Sequence, residues 1–160
     1  MTRAFLGVGS NLGDRSAHLS RARELVSRTK GIRFLRSSAV HETDPVGEAG
    51  PPQGKFLNAV WEIDCDLSAE DLFARLLGIE KELGRVRSVR FAPRTLDLDL
   101  LFYGECVSES PELTLPHPRL HERLFVLEPL AELAPGWVHP VKRKSIRALL
   151  EAMYETHPQP

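Results

Sequence analysis

Asp97 and Asp99 stand two residues apart at the end of the segment R-V-R-S-V-R-F-A-P-R-T-L-D-L-D, residues 85–99. On a β-strand this spacing sends both carboxylates to one face and Leu96, Leu98 and Leu100 to the other. Two parallel carboxylates repel unless a cation lies between them. Hard oxygen ligands so arranged suit Mg2+, which binds through one or two carboxylates together with substrate phosphates. Taken alone, the pair fits an exposed strand face with two solvated aspartates equally well. However, Arg85, Arg87, Arg90 and Arg94 precede it in one stretch. Arginine presents a planar fork of donors that matches phosphate oxygens. Arginines beside a metal-binding pair are the parts needed to handle a polyphosphate. The combination outweighs a merely solvated loop or an RNA-binding patch.

Other routes to phosphate or metal chemistry fail on spacing. The stretch G-V-G-S-N-L-G at 7–13 is G-x-G-x-x-x-G, not the dinucleotide fingerprint G-x-G-x-x-G. The chain contains no G-x-x-x-x-G-K-[ST], no H-R-D and no D-F-G. His117 and His121 are four apart, but Pro118 follows His117 and no H-E-x-x-H is formed, which argues against zinc. Cys65 and Cys106 form no C-x-x-C pair, and two free thiols are expected.

Composition narrows the class. The chain has 160 residues, 42% hydrophobic and 27% charged, with 21 basic and 22 acidic residues, hence a net charge of −1. That length favours one domain over residues 1–160 with a sizeable core. Near-neutrality argues against a globally basic nucleic-acid or membrane binder. No apolar run reaches the ~18 residues of a membrane span. The N-terminus does not read as a signal peptide, so a cytoplasmic location is expected. The 12 prolines and 11 glycines point to shaped loops, where function concentrates.

The elements that must carry these residues follow from periodicity. Residues 3–9 alternate as a strand whose face with Phe5, Gly7 and Gly9 is left bare by its glycines, a mark of close approach. Residues 15–30 place Leu19, Ala22, Leu25 and Val26 on a helical stripe that Gly31 ends. Residues 32–42 read as one extended stretch, and residues 44–54 (D-P-V-G-E-A-G-P-P-Q-G) as a loop long enough to be a lid. Residues 55–66 alternate cleanly, with Phe56 and Asn58 opposite Leu57, Ala59, Trp61, Ile63 and Cys65. Ser68 starts a helix with stripe Leu72, Phe73, Leu76, Ile79 and Leu83. A period-2 strand follows at 96–102, then a Pro-punctuated extended stretch. Helical periodicity runs from about 121 to 133, interrupted by Pro129, and a final helix follows Ser145. The expected class is α+β: a ferredoxin-like β-α-β-β-α-β core with an antiparallel sheet, helices on one face and extra C-terminal helices.

Six segments together resemble the 6-hydroxymethyl-7,8-dihydropterin pyrophosphokinase family of the folate pathway. They are G-S-N-L-G-D at 9–14, E-T-D-P-V-G at 42–47, F-L-N-A-V at 56–60, G-R-V-R at 84–87, P-R-T-L-D-L-D-L at 93–100, and L-P-H-P at 115–118 with Arg123 and Phe125. The resemblance implies an ATP-dependent diphosphotransferase that moves pyrophosphate intact to the pterin hydroxymethyl group and releases AMP. It implies two Mg2+ ions on Asp97 and Asp99, with Arg94 and Arg85 joining them as catalytic residues. On the ATP side it implies Glu80 at the ribose, Arg85, Arg87 and Arg94 at phosphates, Leu100 and Thr114 near adenine, and His117 and Arg123. For the pterin it implies Phe56 and Phe125 sandwiching the ring, with Thr43, Asp44, Pro45, Val46 and Asn58 around its edge. ATP and the pterin are then the only expected partners, without nucleic acid or membrane, and the chain acts as a monomer.

Phe56 and Asn58 share a face on spacing alone, as a stacking ring and an edge-reading amide should. By residue type alone, Phe125 reads as core and Glu80 as a solvated helix residue. Phe91-Ala92 stands where many members have Trp-Gly, and Pro118 lacks the hydroxyl some relatives carry. The readings from other classes are a ferredoxin-like RNA-binding module and an ADP-forming small-molecule kinase.

Overall fold

The computed structural model describes residues 1–44, 54–84 and 96–156. β1 (Thr2–Ser10) is followed by α1 (Arg15–Arg28), β2 (Ile32–Ser37), β3 (His41–Thr43), β4 (Phe56–Cys65), α2 (Ala69–Glu82) and β5 (Asp97–Tyr103). A β6 (Ser108–Ser110)–β7 (Leu113–Leu115) hairpin, a 3-10 turn at Leu120–Glu122, α3 (Leu124–Leu133) and α4 (Ile146–Thr156) complete the order. The main sheet runs β2–β4–β1–β5, and β3 pairs with β4. Each of these pairings is antiparallel.

Side chains written into the sequence start the helices. Asp14 Oδ1 accepts from Ala17 N–H at 3.1 Å, Ser68 Oγ from Asp71 N–H at 3.1 Å, and Ser145 Oγ from Ala148 N–H at 3.1 Å. Each satisfies a donor that the first helical turn leaves unpaired. Pro129 was expected to interrupt the helix after residue 121. Instead α3 continues through it, because Val126, Leu127, Pro129 and Leu130 are all buried and offset one missing hydrogen bond.

The extended stretch expected over 32–42 is two strands. At the break, Ser38 N–H donates to Val60 O at 2.9 Å while Ser38 Oγ accepts from Val60 N–H at 2.9 Å. A side chain has replaced a rung of the ladder.

Helices cover both faces of the sheet, not one. Leu6, Val8, Ala59, Trp61, Ile63, Leu98 and Leu100 form one core with α1 and α2. Phe5, Val60, Leu101 and Phe102 form a second with α3 and α4. The cause is visible in β5. Phe5 opposes Phe102 while Leu6 opposes Leu100, so Leu101 is an inserted residue. Such a bulge turns adjacent side chains to the same side. Leu101 and Phe102 thus both face the second core, and an apolar surface there needs helices to cover it.

A buried carboxylate ties the second layer down. Glu62 is 3% exposed and takes Arg3 Nη1 on one oxygen and Arg36 Nε, at 2.9 Å, on the other. Arg36 Nη2 also donates to Leu133 O, the last carbonyl of α3, at 2.8 Å. Arg36→Ala removes both links, while Arg3 still neutralises Glu62. We expect a loss of about 1–2 kcal/mol, read as a lower urea midpoint; an unchanged midpoint would contradict this role.

Candidate active site

The open end of the second face is shaped by glycines. Asp97 lies opposite Gly9 and Asp99 opposite Gly7 across the β1–β5 ladder. Both aspartates are half-buried, and Leu98 between them points into the first core. The two carboxylates therefore rise beside backbone that carries no side chain.

A basic cluster adjoins them. Burial lowers the pKa of the Arg123 guanidinium, and the carboxylates of Asp99 and Asp97 pull it back up, which places the three groups in one field. Arg123 Nε is buried without a hydrogen-bond partner among the described residues. A buried orphan donor beside two carboxylates fits an anionic oxygen between them, as on a metal-bound polyphosphate. Arg119, outside the expected set, belongs to this cluster, since its charge acts on both Arg123 and His117. Only its position two residues after His117 could have signalled this.

His117 is anchored by its own N–H, which donates to Leu101 O at 2.9 Å. Burial pushes its imidazole down to about 4, and Arg123 and Arg119 push the same way. In the unfolded chain the ordinary value of 6.5 applies. Between pH 6.5 and about 4 the unfolded state therefore holds a proton that the folded state does not. The stability contribution of neutral His117 is complete above this window and is lost as pH falls through it. Wild type should thus lose more stability than His117→Gln between pH 7 and 4 in urea titrations; equal losses would contradict the burial of the neutral ring.

Of the expected pterin residues, Thr43, Phe56 and Asn58 adjoin one another on β3 and β4. Thr43 pairs with Phe56, and Asn58 Nδ2 donates to Thr43 Oγ1 at 2.5 Å. A Cβ on Gly9 would lie 2.7 Å from Asn58 Oδ1 and 3.6 Å from Phe56 Cδ1, so the absent side chain is what lets these two groups sit there. Phe125 is half-buried in the first turn of α3, with the Arg123 guanidinium carbon 5.6 Å from its ring centroid. Arg15 holds the neighbouring chain: Nη1 donates to Lys55 O at 2.7 Å and Nη2 to Glu42 Oε2 at 2.8 Å. Asn11 Nδ2 donates to Gly54 O at 3.4 Å. Asn11 and the first residue of α1 thereby bond to residues on both sides of 45–53. Asp44 itself is exposed, in a long contact with Lys55 at 3.9 Å.

On the expected nucleotide side, Thr114 stands on β7, and its hydroxyl donates to Ser110 O at 3.1 Å. The Leu100 side chain is sealed in the first core, so any contact from this residue to a base comes from its backbone. Glu80 is not a solvated helix residue. It is 1% exposed, and its Oε2 accepts from Leu98 N–H at 2.7 Å. Arg85, Arg87, Arg94, Pro45 and Val46, with Phe91 and Ala92, lie outside the described residues. No set of three or more metal-ligating side chains occurs among the described residues. Nor is any helix among them long and apolar enough to cross a membrane. Cys65 is buried and Cys106 exposed, both as free thiols.

Comparison with known proteins adds a second line. The family model described as 7,8-dihydro-6-hydroxymethylpterin-pyrophosphokinase matches residues 5–135. A 2-amino-4-hydroxy-6-hydroxymethyldihydropteridine pyrophosphokinase of Methylorubrum extorquens is 46% identical over 138 residues, covering 86% of each chain. The Bacillus subtilis protein of the same name is 44% identical over 130 residues, 81% of this chain and 77% of that one. Among solved structures, Plasmodium falciparum HPPK-DHPS superposes with a TM-score of 0.74 at 15% identity, covering 99% of this chain and 45% of that one. A second HPPK-DHPS structure, in complex with substrates, gives a TM-score of 0.76 at 12% identity over 98% of this chain and 44% of that one. This chain thus spans less than half of those solved chains, and they support the fold alone.

Proposed function

We propose that this chain, which belongs to the 7,8-dihydro-6-hydroxymethylpterin-pyrophosphokinase family, transfers a pyrophosphoryl group from ATP to the hydroxymethyl oxygen of 6-hydroxymethyl-7,8-dihydropterin, a step of folate biosynthesis. The observation that carries the site reading is the Asp97–Asp99 pair beside the glycine face, with the orphan Arg123 Nε–H in the same field. The same proposal takes the chain as a ferredoxin-like β-α-β-β-α-β core in a single domain over residues 1–160, acting as a cytoplasmic monomer on two small molecules.

ATP binds first in this scheme, with its phosphates toward Arg123, neutral His117, Arg85, Arg87 and Arg94. Thr114 and the backbone at Leu100 lie on the adenine side. Two Mg2+ ions, held by Asp97 and Asp99, would neutralise triphosphate charge and favour ionisation of the attacking hydroxyl. Phe56 and Phe125 stack on the pterin ring while Asn58, Thr43 and residues 44–46 bind its edge. The chain's residues then act by positioning and charge, not through a covalent intermediate. The pterin oxygen forms a bond to the β-phosphorus, the bond from that phosphorus to the α–β bridging oxygen breaks, and AMP leaves.

An RNA-binding role needs stacking aromatics on an open sheet face. Here Phe5 and Phe102 are each 1% exposed beneath α3 and α4, and Phe5 packs edge-on against Trp137 at 4.9 Å. The decisive assay incubates the protein with ATP, Mg2+ and hydroxymethyldihydropterin and identifies the nucleotide product. AMP with pterin diphosphate supports the reading; ADP, or no turnover, overturns it.

A further inference from the structure

Glu80 is a charged residue on the buried stripe of an amphipathic helix. Leu72, Leu76 and Ile79 of α2 face the first core, and Glu80 is buried among them at 1% exposure. Burying a carboxylate is costly unless it is bonded. Its Oε2 accepts from Leu98 N–H at 2.7 Å, and Leu98 is the residue between Asp97 and Asp99.

β5 is an edge of the sheet, with β1 as its neighbour in the ladder. In an antiparallel ladder, successive residues turn their N–H and C=O alternately toward and away from the partner strand. Leu98 N–H points away from β1, since it reaches Glu80. The same alternation turns the backbone groups of Asp97 and Asp99 toward Gly9 and Gly7. The three-residue segment is therefore gripped from β1 on one side and from α2, through Glu80, on the other. Register matters most here, because a one-residue slip would drive both carboxylates into the first core and expose Leu98.

We infer that Glu80 is a positioning residue for the metal-binding pair: its carboxylate caps the outer edge of β5 at Leu98 and holds Asp97 and Asp99 on the site face. This rests on the reading of Asp97 and Asp99 as Mg2+ ligands. It differs from a ribose contact, because it needs no atom of the nucleotide.

The full chain is tested as wild type, Glu80→Met, Glu80→Gln and Asp97→Asn. The readouts are Mn2+ affinity in the presence of a non-hydrolysable ATP analogue, turnover, and hydrogen exchange at the Leu98 amide. Glu80→Met should weaken Mn2+ binding and lower kcat by about tenfold or more, with KM for the pterin unchanged within about twofold. Leu98 should lose its exchange protection in Glu80→Met and keep it in Glu80→Gln, whose amide oxygen still accepts, and Mn2+ affinity should recover with it. The ratio of wild-type to variant turnover should be the same for ATP and for 2′- and 3′-deoxy-ATP. A penalty that disappears with a deoxynucleotide overturns the inference in favour of a ribose contact. Wild-type Mn2+ affinity in Glu80→Met overturns it too. Where Glu80→Met does not fold, Glu80→Gln decides alone: tenfold weaker Mn2+ binding with Leu98 still protected refutes the capping role. Asp97→Asn separates the two levels. If it leaves Mn2+ binding intact, the metal reading itself is wrong; if it abolishes binding and Glu80→Met does not weaken it, only the positioning role fails.

Discussion

Asp97→Asn or Asp99→Asn should lower turnover with Mg2+ and ATP by about 10²–10³-fold, the range typical of losing one charge-stabilising group in a preorganised site. Asparagine keeps the volume and one oxygen but loses the charge that would hold a divalent cation. Both side chains are half-buried at the open end of the sheet, while Leu98 and Leu100 carry the packing of β5. The fold should therefore survive, with a melting temperature within about 4 °C of wild type. A second effect follows from the cluster. The two carboxylates raise the pKa of Arg123 against the burial that lowers it, so each variant also weakens the electrostatic restraint on that guanidinium. Near-normal kcat in either variant would sink the metal assignment; collapse of the circular dichroism spectrum would move these residues to a structural role.

Much of this site follows from period 2 alone. Asp97, Asp99, Gly7, Gly9 and Asn58 share a face because strand alternation holds across that end of the sheet. It fails one residue later. The bulge at Leu101 sends Phe102 to the face opposite the one its parity predicts, and no residue type in L-D-L-D-L-L-F-Y marks it. The second helical layer was hidden for the same reason, since its apolar surface is partly created by that bulge. Ser38 was equally opaque: a serine within an extended stretch gives no sign that its hydroxyl will replace a backbone rung. Glu80 is different. It lies four residues after Leu76 and one after Ile79, squarely on the predicted stripe, and its charge disguised its burial. The helix starts at Ser68 and Ser145 were legible because a short polar side chain before a helical stripe has few other uses.

Gly9→Ala should separate the two substrates. The glycine lies in a regular strand, so alanine meets no backbone strain; its methyl carbon would instead lie 2.7 Å from Asn58 Oδ1, well inside contact. Asn58 has little room to yield. It is 7% exposed and its amide nitrogen is bonded to Thr43 at 2.5 Å. Either the Thr43 bond breaks or β1 and β4 spread, and in both cases the amide leaves the position proposed for the pterin edge. An unpaired polar edge costs about 1–3 kcal/mol, so the pterin dissociation constant should rise by about tenfold or more. ATP affinity should stay within about twofold, because Arg123, His117 and the aspartates are reached from β5 and the segment after it. Gly7→Ala is the matched control. Its methyl would meet Leu101 Cδ2 at 3.4 Å, an ordinary packing distance, so pterin affinity should remain near wild type. Calorimetric titration of both ligands into both variants checks the contrast. Equal pterin binding by Gly9→Ala and wild type would remove Asn58 from the substrate edge, and a parallel loss of ATP binding would mean that the sheet itself had been distorted.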